Sequence, residues 1–208
     1  MEKEFLMVKQ MNKIEKLWAL DLEMNQPSGK IIQIGACIGY ADTRVVGPKF
    51  SVIIDPEEPI SDEIAELTGV TQKRVNEESV LLIDGYKRLV DFFNQYQPFM
   101  NPLTWGGPDV VELKEQVVIQ QLRQEGEMDP DVFPREFPKN WPFGRRWLDV
   151  KTVYIAYRMA NGDKIQSGLA RSMTKLGLAF DGRKHDAADD AANTIRVYFE
   201  LLDRMKDV

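Results

Sequence analysis

Asp21 and Glu23 stand two residues apart in WALDLEMN, inside an otherwise apolar run. If that run is a strand, residues two apart project to one face, so both carboxylates point together while Leu20 and Leu22 point into a core. Two like charges on one apolar surface repel, and burying them is costly unless a cation compensates. A hard divalent cation such as Mg2+ or Mn2+ takes oxygen ligands and would supply that compensation; the alternative is a strand end turning polar as it leaves a sheet. Asp109 follows TWGGP at the start of a helical segment. It reads either as a first-turn acid facing a helix macrodipole or as a carboxylate reaching across a sheet edge toward other acids. The remaining place is KHDAADDAANT, residues 184–194, with the only histidine of the chain. Histidine titrates near 6.5 in water, where a side chain can both take and give a proton at neutral pH. After His185, Asp186 reads as a helix N-cap and Asp189 holds the capping-box position. Ala188, Ala191, Ala192, Ile195, Phe199 and Leu202 form an apolar stripe. Asp189 and Asp190 flank that stripe at comparable angles, so periodicity does not say which of them faces a site.

These residues need a scaffold that gathers them. KLWALDLEM (16–24) and KIIQIGACIGY (30–40) read as strands joined by the turn cluster NQPSG, and KFSVIID (49–55) as a third ending at Pro56. With ADTRVVGP as the second connection, the three form an antiparallel meander. SDEIAEL reads as a helix with a serine cap and an acidic first turn, and Thr71 caps the short turn TQKRV. LLIDGYKRLVDFFNQY is helical, FMNPLTWGG is a short strand ending in glycines, and PDVVELKEQVVIQQLRQ is a helix with Pro108 near its first position. WLDVKTVYIAYRMA, GLARSMTKLGL and AADDAANTIRVYFELLDRM supply three more helices. Residues 125–146 carry Pro130, Pro134, Pro138 and Pro142 and read as an irregular surface loop. Within it, KNWPFGRRW mixes arginine with aromatics, either to meet a single strand or to pack its rings on the domain. Strands first, then strand–helix alternation, describes a mixed α/β domain around one sheet.

At 208 residues and 43% hydrophobic, the chain is expected to be a single domain, 1–208, with its core over about 16–200. No apolar stretch is long enough to span a membrane, and the mixed-charge start MEKEFLMVKQMNKIEK reads as neither a span nor a secretion signal. Cys37 is the sole cysteine, which excludes an intramolecular disulfide and suggests a reducing, cytoplasmic setting. Within IIQIGACIGY it reads as a buried core thiol. The net charge of −6 argues against a protein that grips long duplexes with a broad basic surface, unless some acids serve bound cations.

ALDLEMNQPSGKIIQIGA, TWGGPDVVEL and GLAFDGRKHDAADDAANT resemble, in order, the three motifs of the DEDDh 3′–5′ exonucleases. That superfamily includes ribonuclease T, oligoribonuclease and polymerase proofreading subunits. The third motif, with Gly-Arg before the histidine and Asn-Thr after it, most resembles the histone-mRNA exonuclease branch, as does IAELTGVTQKRV between the first two. DLEM is similar to oligoribonuclease instead. The resemblance runs over about residues 16–200 apart from the proline-rich loop. The family pattern places an Asp five positions after the His, which selects His185 and Asp190 and makes Asp189 a solvated or capping residue. With Asp21, Glu23 and Asp109 the four carboxylates are complete.

The resemblance implies a ribonuclease H-like fold, a mixed five-stranded sheet whose first three strands are antiparallel, with helices on both faces. It implies 3′–5′ exonuclease activity on single-stranded or frayed RNA or DNA, with two Mg2+ or Mn2+ ions straddling the scissile phosphate. Asp21 would bridge both ions, Glu23 and Asp190 would bind the ion on the nucleophile side, and Asp109 would reach the second mainly through water. His185 would be the general base and nucleoside 5′-monophosphates the product. By family position, Met24, Leu67 and Thr68 would contact the terminal base or wedge between the last two, where ordinary packing is the alternative. A proofreading subunit and a non-catalytic nucleic-acid-binding relative are the competing functions. RNA against DNA, and the oligomeric state, a dimer included, stay open.

Overall fold

The computed structural model describes residues 14–126, 136–163 and 168–206. The charged leader and the middle of the proline-rich segment lie outside them. Five strands form one sheet in the order β3-β2-β1-β4-β5. β1 (Lys16–Met24) is central, β2 (Ile31–Tyr40) and β3 (Val45–Ile53) extend it as an antiparallel meander, and β4 (Leu103–Thr104) and β5 (Leu148–Asp149) run parallel to it. The expected mixed five-stranded sheet is therefore present, with two differences of detail. β3 begins at Val45, because the β2–β3 connection is a tight turn ending at Arg44, which adopts φ 58°. Pro48, which offers no N–H, fits there because β3 lies at the edge of the sheet. The fifth strand is Leu148–Asp149, in a segment that reads as wholly helical. Two residues leave no alternation to read, and the strand exists because Leu103 and Thr104 lie alongside to pair with it.

Alternation along β1 sorts the two faces. Trp18, Leu20 and Leu22 pack against Leu82, Leu89 and Phe93 of α3 (Leu82–Tyr96) and Val110, Leu113 and Val117 of α4 (Asp109–Glu125). Leu17 and Ala19 face the other way. They meet Val150 and Tyr154 of α5 (Val150–Ala160), Leu169 and Met173 of α6 (Leu169–Lys175), and Ala191, Ala192 and Ile195 of α7 (Ala187–Lys206). Helices thus cover both faces of the sheet. Two short helices, α1 (Asp62–Thr68) and α2 (Gln72–Glu78), close one end over Ile32 and Ile53. Their caps are those the sequence indicates: Ser61 accepts from the Ile64 N–H and Thr71 from the Arg74 N–H.

The described aromatics of the proline-rich loop pack on the domain. Phe143 lies 4.8 Å from Trp18 between ring centroids, Trp141 stacks near Tyr86, and the Tyr86 hydroxyl donates to the Asn140 carbonyl. Arg145 lies over the Phe137 ring. Cys37 is fully buried, which pushes its thiol up to about 12. Among the described residues no helix is long and apolar enough to cross a membrane.

Candidate active site

The face of β1 that carries Leu17 and Ala19 continues with Asp21 and Glu23, so the apolar row turns acidic where the strand leaves the core. Opposite them lies the first turn of α7. That approach is close because Gly35, paired with Asp21 across the β1–β2 ladder, has no side chain: a methyl there would run into the backbone of Ala187 and Ala188. Gln33, paired with Glu23, pins the helix. It is buried in an otherwise apolar strand, its amide donates to Asp186 and Ser51 at 3.0 Å, and its carbonyl accepts from the Ala187 N–H. A glutamine inside IIQIGACIGY is the one signal in the sequence of such an anchor, since a buried amide must find partners.

Asp190 thereby stands over Glu23. Its Oδ2 accepts from the His185 backbone N–H at 3.3 Å, while its Oδ1 is buried and has no hydrogen-bond partner. His185 is exposed, in the left-handed region at φ 60°, immediately before the helix. Ligand atoms of Glu23, His185 and Asp190 lie within 4.8 Å of one another. Asp186 is the N-cap, accepting from the Ala188 and Asp189 N–H groups. Asp189 does not close a capping box. One oxygen accepts from the Arg183 N–H at 2.7 Å and the other pairs with Lys49 at 2.7 Å, so it binds the 181–185 loop to the helix and to β3. The Arg183 guanidinium in turn donates to the carbonyls of Glu66 and Leu67 at the end of α1.

Asp109 arrives from the other face. Gly106 and Gly107, both at positive φ, turn the chain at the end of β4, and Asp109 opens α4 with its carboxylate accepting from its own backbone and that of Leu22. Leu22 lies between Asp21 and Glu23 in sequence, so this bond brings a third acid to the end of β1. Asp149 supports the turn: it accepts from the Gly106 N–H at 2.9 Å and caps α5 through the Thr152 N–H. Nothing in the sequence singles Asp149 out, because it sits inside a segment with a helical pattern.

The electrostatics follow from this packing. Burial holds the Asp21 carboxyl well above its ordinary range, and the charges of Asp109, Asp190 and Glu23 add to the shift. Glu23 is pushed up to about 8, by burial first and then by Asp190, Asp186 and Asp109. Burial likewise raises Asp190 and Asp109 to about 6 each, against the hydrogen bonds they accept. An all-oxygen acidic set with an unpartnered inward oxygen fits a hard divalent cation, which would reverse these shifts.

The three substrate candidates differ in placement. Met24 is half-buried against the apolar cluster under α3 and α4, and Leu67 is 45% exposed at the end of α1. Thr68 is buried, and its hydroxyl donates to the Ile64 carbonyl and accepts from the Val70 N–H, so it shapes the helix end and leaves Leu67 outermost. Asn25, buried beyond Met24, ties this helix to β1 by donating to the Pro59 carbonyl and accepting from the Ser61 N–H.

The RNase T exonuclease family model matches residues 18–97, a stretch with Asp21 and Glu23 that ends before Asp109. Over a longer span, the chain is 25% identical across 182 residues to 3′–5′ exoribonuclease 1 of Homo sapiens, covering 83% of this chain and 46% of that protein. It is 24% identical across 181 residues to ERI1 exoribonuclease 2 of Homo sapiens, covering 84% and 26%. The chain therefore spans less than half the length of either relative. The solved nuclease domain of 3′hExo, a DEDDh family member bound to rAMP, matches with a TM-score of 0.71 at 19% identity, over 93% of this chain and 94% of that one. At that identity the likeness speaks for the fold, which is ribonuclease H-like. A family-model match over residues 18–97, relatives over most of the chain's length and a shared fold agree with three motifs whose acids meet at one strand end: the chain resembles the DEDDh exonucleases in sequence and shares their ribonuclease H-like fold.

Proposed function

We propose that the chain is a divalent-metal-dependent 3′–5′ exonuclease that removes nucleoside 5′-monophosphates from single-stranded or frayed 3′ ends, with RNA as its first substrate. The observation that carries this reading is the convergence of Glu23, Asp190 and His185 beside Asp21 and Asp109, with Asp190 Oδ1 buried and unpartnered. RNA is put first because both curated relatives are named exoribonucleases.

Asp21, Glu23, Asp109 and Asp190 would hold two Mg2+ or Mn2+ ions. Bound there, the cations would supply positive charge to the scissile phosphate and lower the pKa of a coordinated water. His185 would take the proton from the attacking water at a ring nitrogen, its backbone tethered to Asp190. As the water oxygen bonds to phosphorus, the bond to the 3′ oxygen of the shortened strand breaks, and that oxygen leaves as a hydroxyl once protonated. Leu67, exposed beside the Arg183 anchor, would meet the terminal base, with Met24 beneath and Thr68 holding the helix end.

Replacement of His185 by Ala is expected to lower kcat by roughly 100- to 10,000-fold, the usual contribution of a general base, with oligonucleotide binding retained. The measurement is release of mononucleotides from 5′-labelled and 3′-labelled RNA and DNA, single- and double-stranded, with Mg2+, Mn2+ or EDTA. Wild-type turnover by the variant would remove the base assignment, and turnover in EDTA would remove the metal requirement.

A further inference from the structure

A groove of about 700 Å3 opens beside the acidic cluster and has His185 and Asp190 at one end. Its wall is α6 and the loop that follows, and three cations line it: Arg171, Lys175 and Lys184. All three are exposed, and none makes an ion pair among the described residues. The informative point is that these three gather on one wall next to the acidic cluster, whereas other cations without an ion pair among the described residues, such as Arg88 and Arg123, lie outside it. In a chain of net charge −6, Lys49, Arg74, Lys87 and Arg204 are each matched to a neighbouring acid. Arg171 and Lys175 are four apart in a helix and share a face about 5–6 Å from each other, a distance comparable with the step between phosphates of an extended strand. Phe180 adds a half-buried ring to the same wall. The Arg183 guanidinium, which does not line this groove, is spent on the carbonyls of α1.

We infer that this groove is the track for the phosphodiester backbone of the strand still to be degraded. Arg171 and Lys175 neutralise phosphates upstream of the scissile bond, and Lys184 continues the track to the histidine. This deepens the exonuclease reading above and rests on it for the direction of the strand. It adds a substrate class: strands several nucleotides long, held by charge and therefore without sequence preference, in preference to dinucleotides, which have no phosphate to place in the groove. It also explains how an acidic chain holds a polyanion, since the positive charge is local and contiguous with the site.

The test compares wild type with R171Q/K175Q, and with R171K/K175R as the charge-conserving control, on a dodecanucleotide and on a dinucleotide of the same composition. The double neutralisation is expected to raise KM for the dodecanucleotide about tenfold at low salt. It should also make the log–log salt dependence of binding shallower by about 1.4, at roughly 0.7 for each of the two phosphates no longer neutralised. kcat/KM for the dinucleotide should fall far less, and the charge-conserving control should follow wild type on both substrates. Equal losses on the two substrates, or an unchanged salt slope, overturn the track. Should wild type hydrolyse neither substrate, the exonuclease reading fails by itself. Fluorescence anisotropy of a labelled dodecanucleotide on the same proteins then decides the groove alone: weaker binding by the neutralised variant supports it, and equal affinity overturns it.

Discussion

Asp189 has both carboxylate oxygens engaged, one by the Arg183 N–H and one by Lys49, and Gly182 packs so closely against it that a side chain there would collide with the carboxylate. Its ion pair with Lys49 is partly exposed and contributes little by itself. What Asp189 supplies is a fixed loop for a histidine held at positive φ. Asp189→Ala is therefore expected to lower kcat by roughly 10- to 100-fold, in the range seen when an outer-shell partner is removed, with KM near wild type. Asp189→Asn, which keeps an acceptor for Arg183, should recover part of that activity. Steady-state kinetics on one oligonucleotide read both variants, and a wild-type kcat in Asp189→Ala would show the loop to be held by other means. The division of labour between Asp189 and Asp190 is not legible on a helical wheel, because both flank the same apolar stripe. The family spacing favours Asp190 as the metal-side acid, and only the packed loop shows that its neighbour is more than a solvated residue.

Among the elements, the contact between β2 and α7 sets the geometry of the site. Gly35 lets the helix backbone approach the strand opposite Asp21, and Gln33 fixes its height through Asp186 and Ala187. A Gly35→Ala substitution must push α7 outward, with an expected destabilisation of about 1–3 kcal/mol from overpacking. Activity should drop further than the change in stability explains, since Asp190 moves with the helix. Denaturant unfolding and turnover measured well below the melting temperature separate the two effects. If activity persists while stability falls, the strand–helix contact does not set the site. Caps are legible where side chain and backbone lie within three residues, as at Ser61, Thr71 and Asp186. β5 is not, because it pairs with Leu103, which is distant in sequence.

For the molecule as a whole, the clustered carboxylates make metal-free stability depend on pH. Glu23 carries a folded pKa of about 8 against an ordinary 4.5, and Asp109 and Asp190 about 6 against 3.8. Between the ordinary and the raised values the folded chain binds protons that the unfolded chain has released, so stability falls as pH rises. In EDTA the melting temperature should be highest near the ordinary carboxyl range and decline toward about pH 8. Mg2+ should raise it most at the alkaline end and flatten the curve, because the cation binds only the folded, ionised site. A flat profile in EDTA would contradict the clustering. The net charge of −6 thus has a local origin in part, and three cations without ion-pair partners among the described residues line the groove beside that acidic cluster.

The sequence alone determined which atoms were available and in what local frame. Alternation put Asp21 and Glu23 on one face of a strand, a single histidine stood at a helix start, and three motifs in order resembled those of one exonuclease superfamily. These follow from chain periodicity and from side-chain chemistry, both local properties. The tertiary structure decided which acids meet, how deeply they are buried, and which cations line the groove beside them. Those depend on close approach between segments as far apart as Gly35 and Ala187, and burial and charge proximity, unlike periodicity, exist only once the chain has packed.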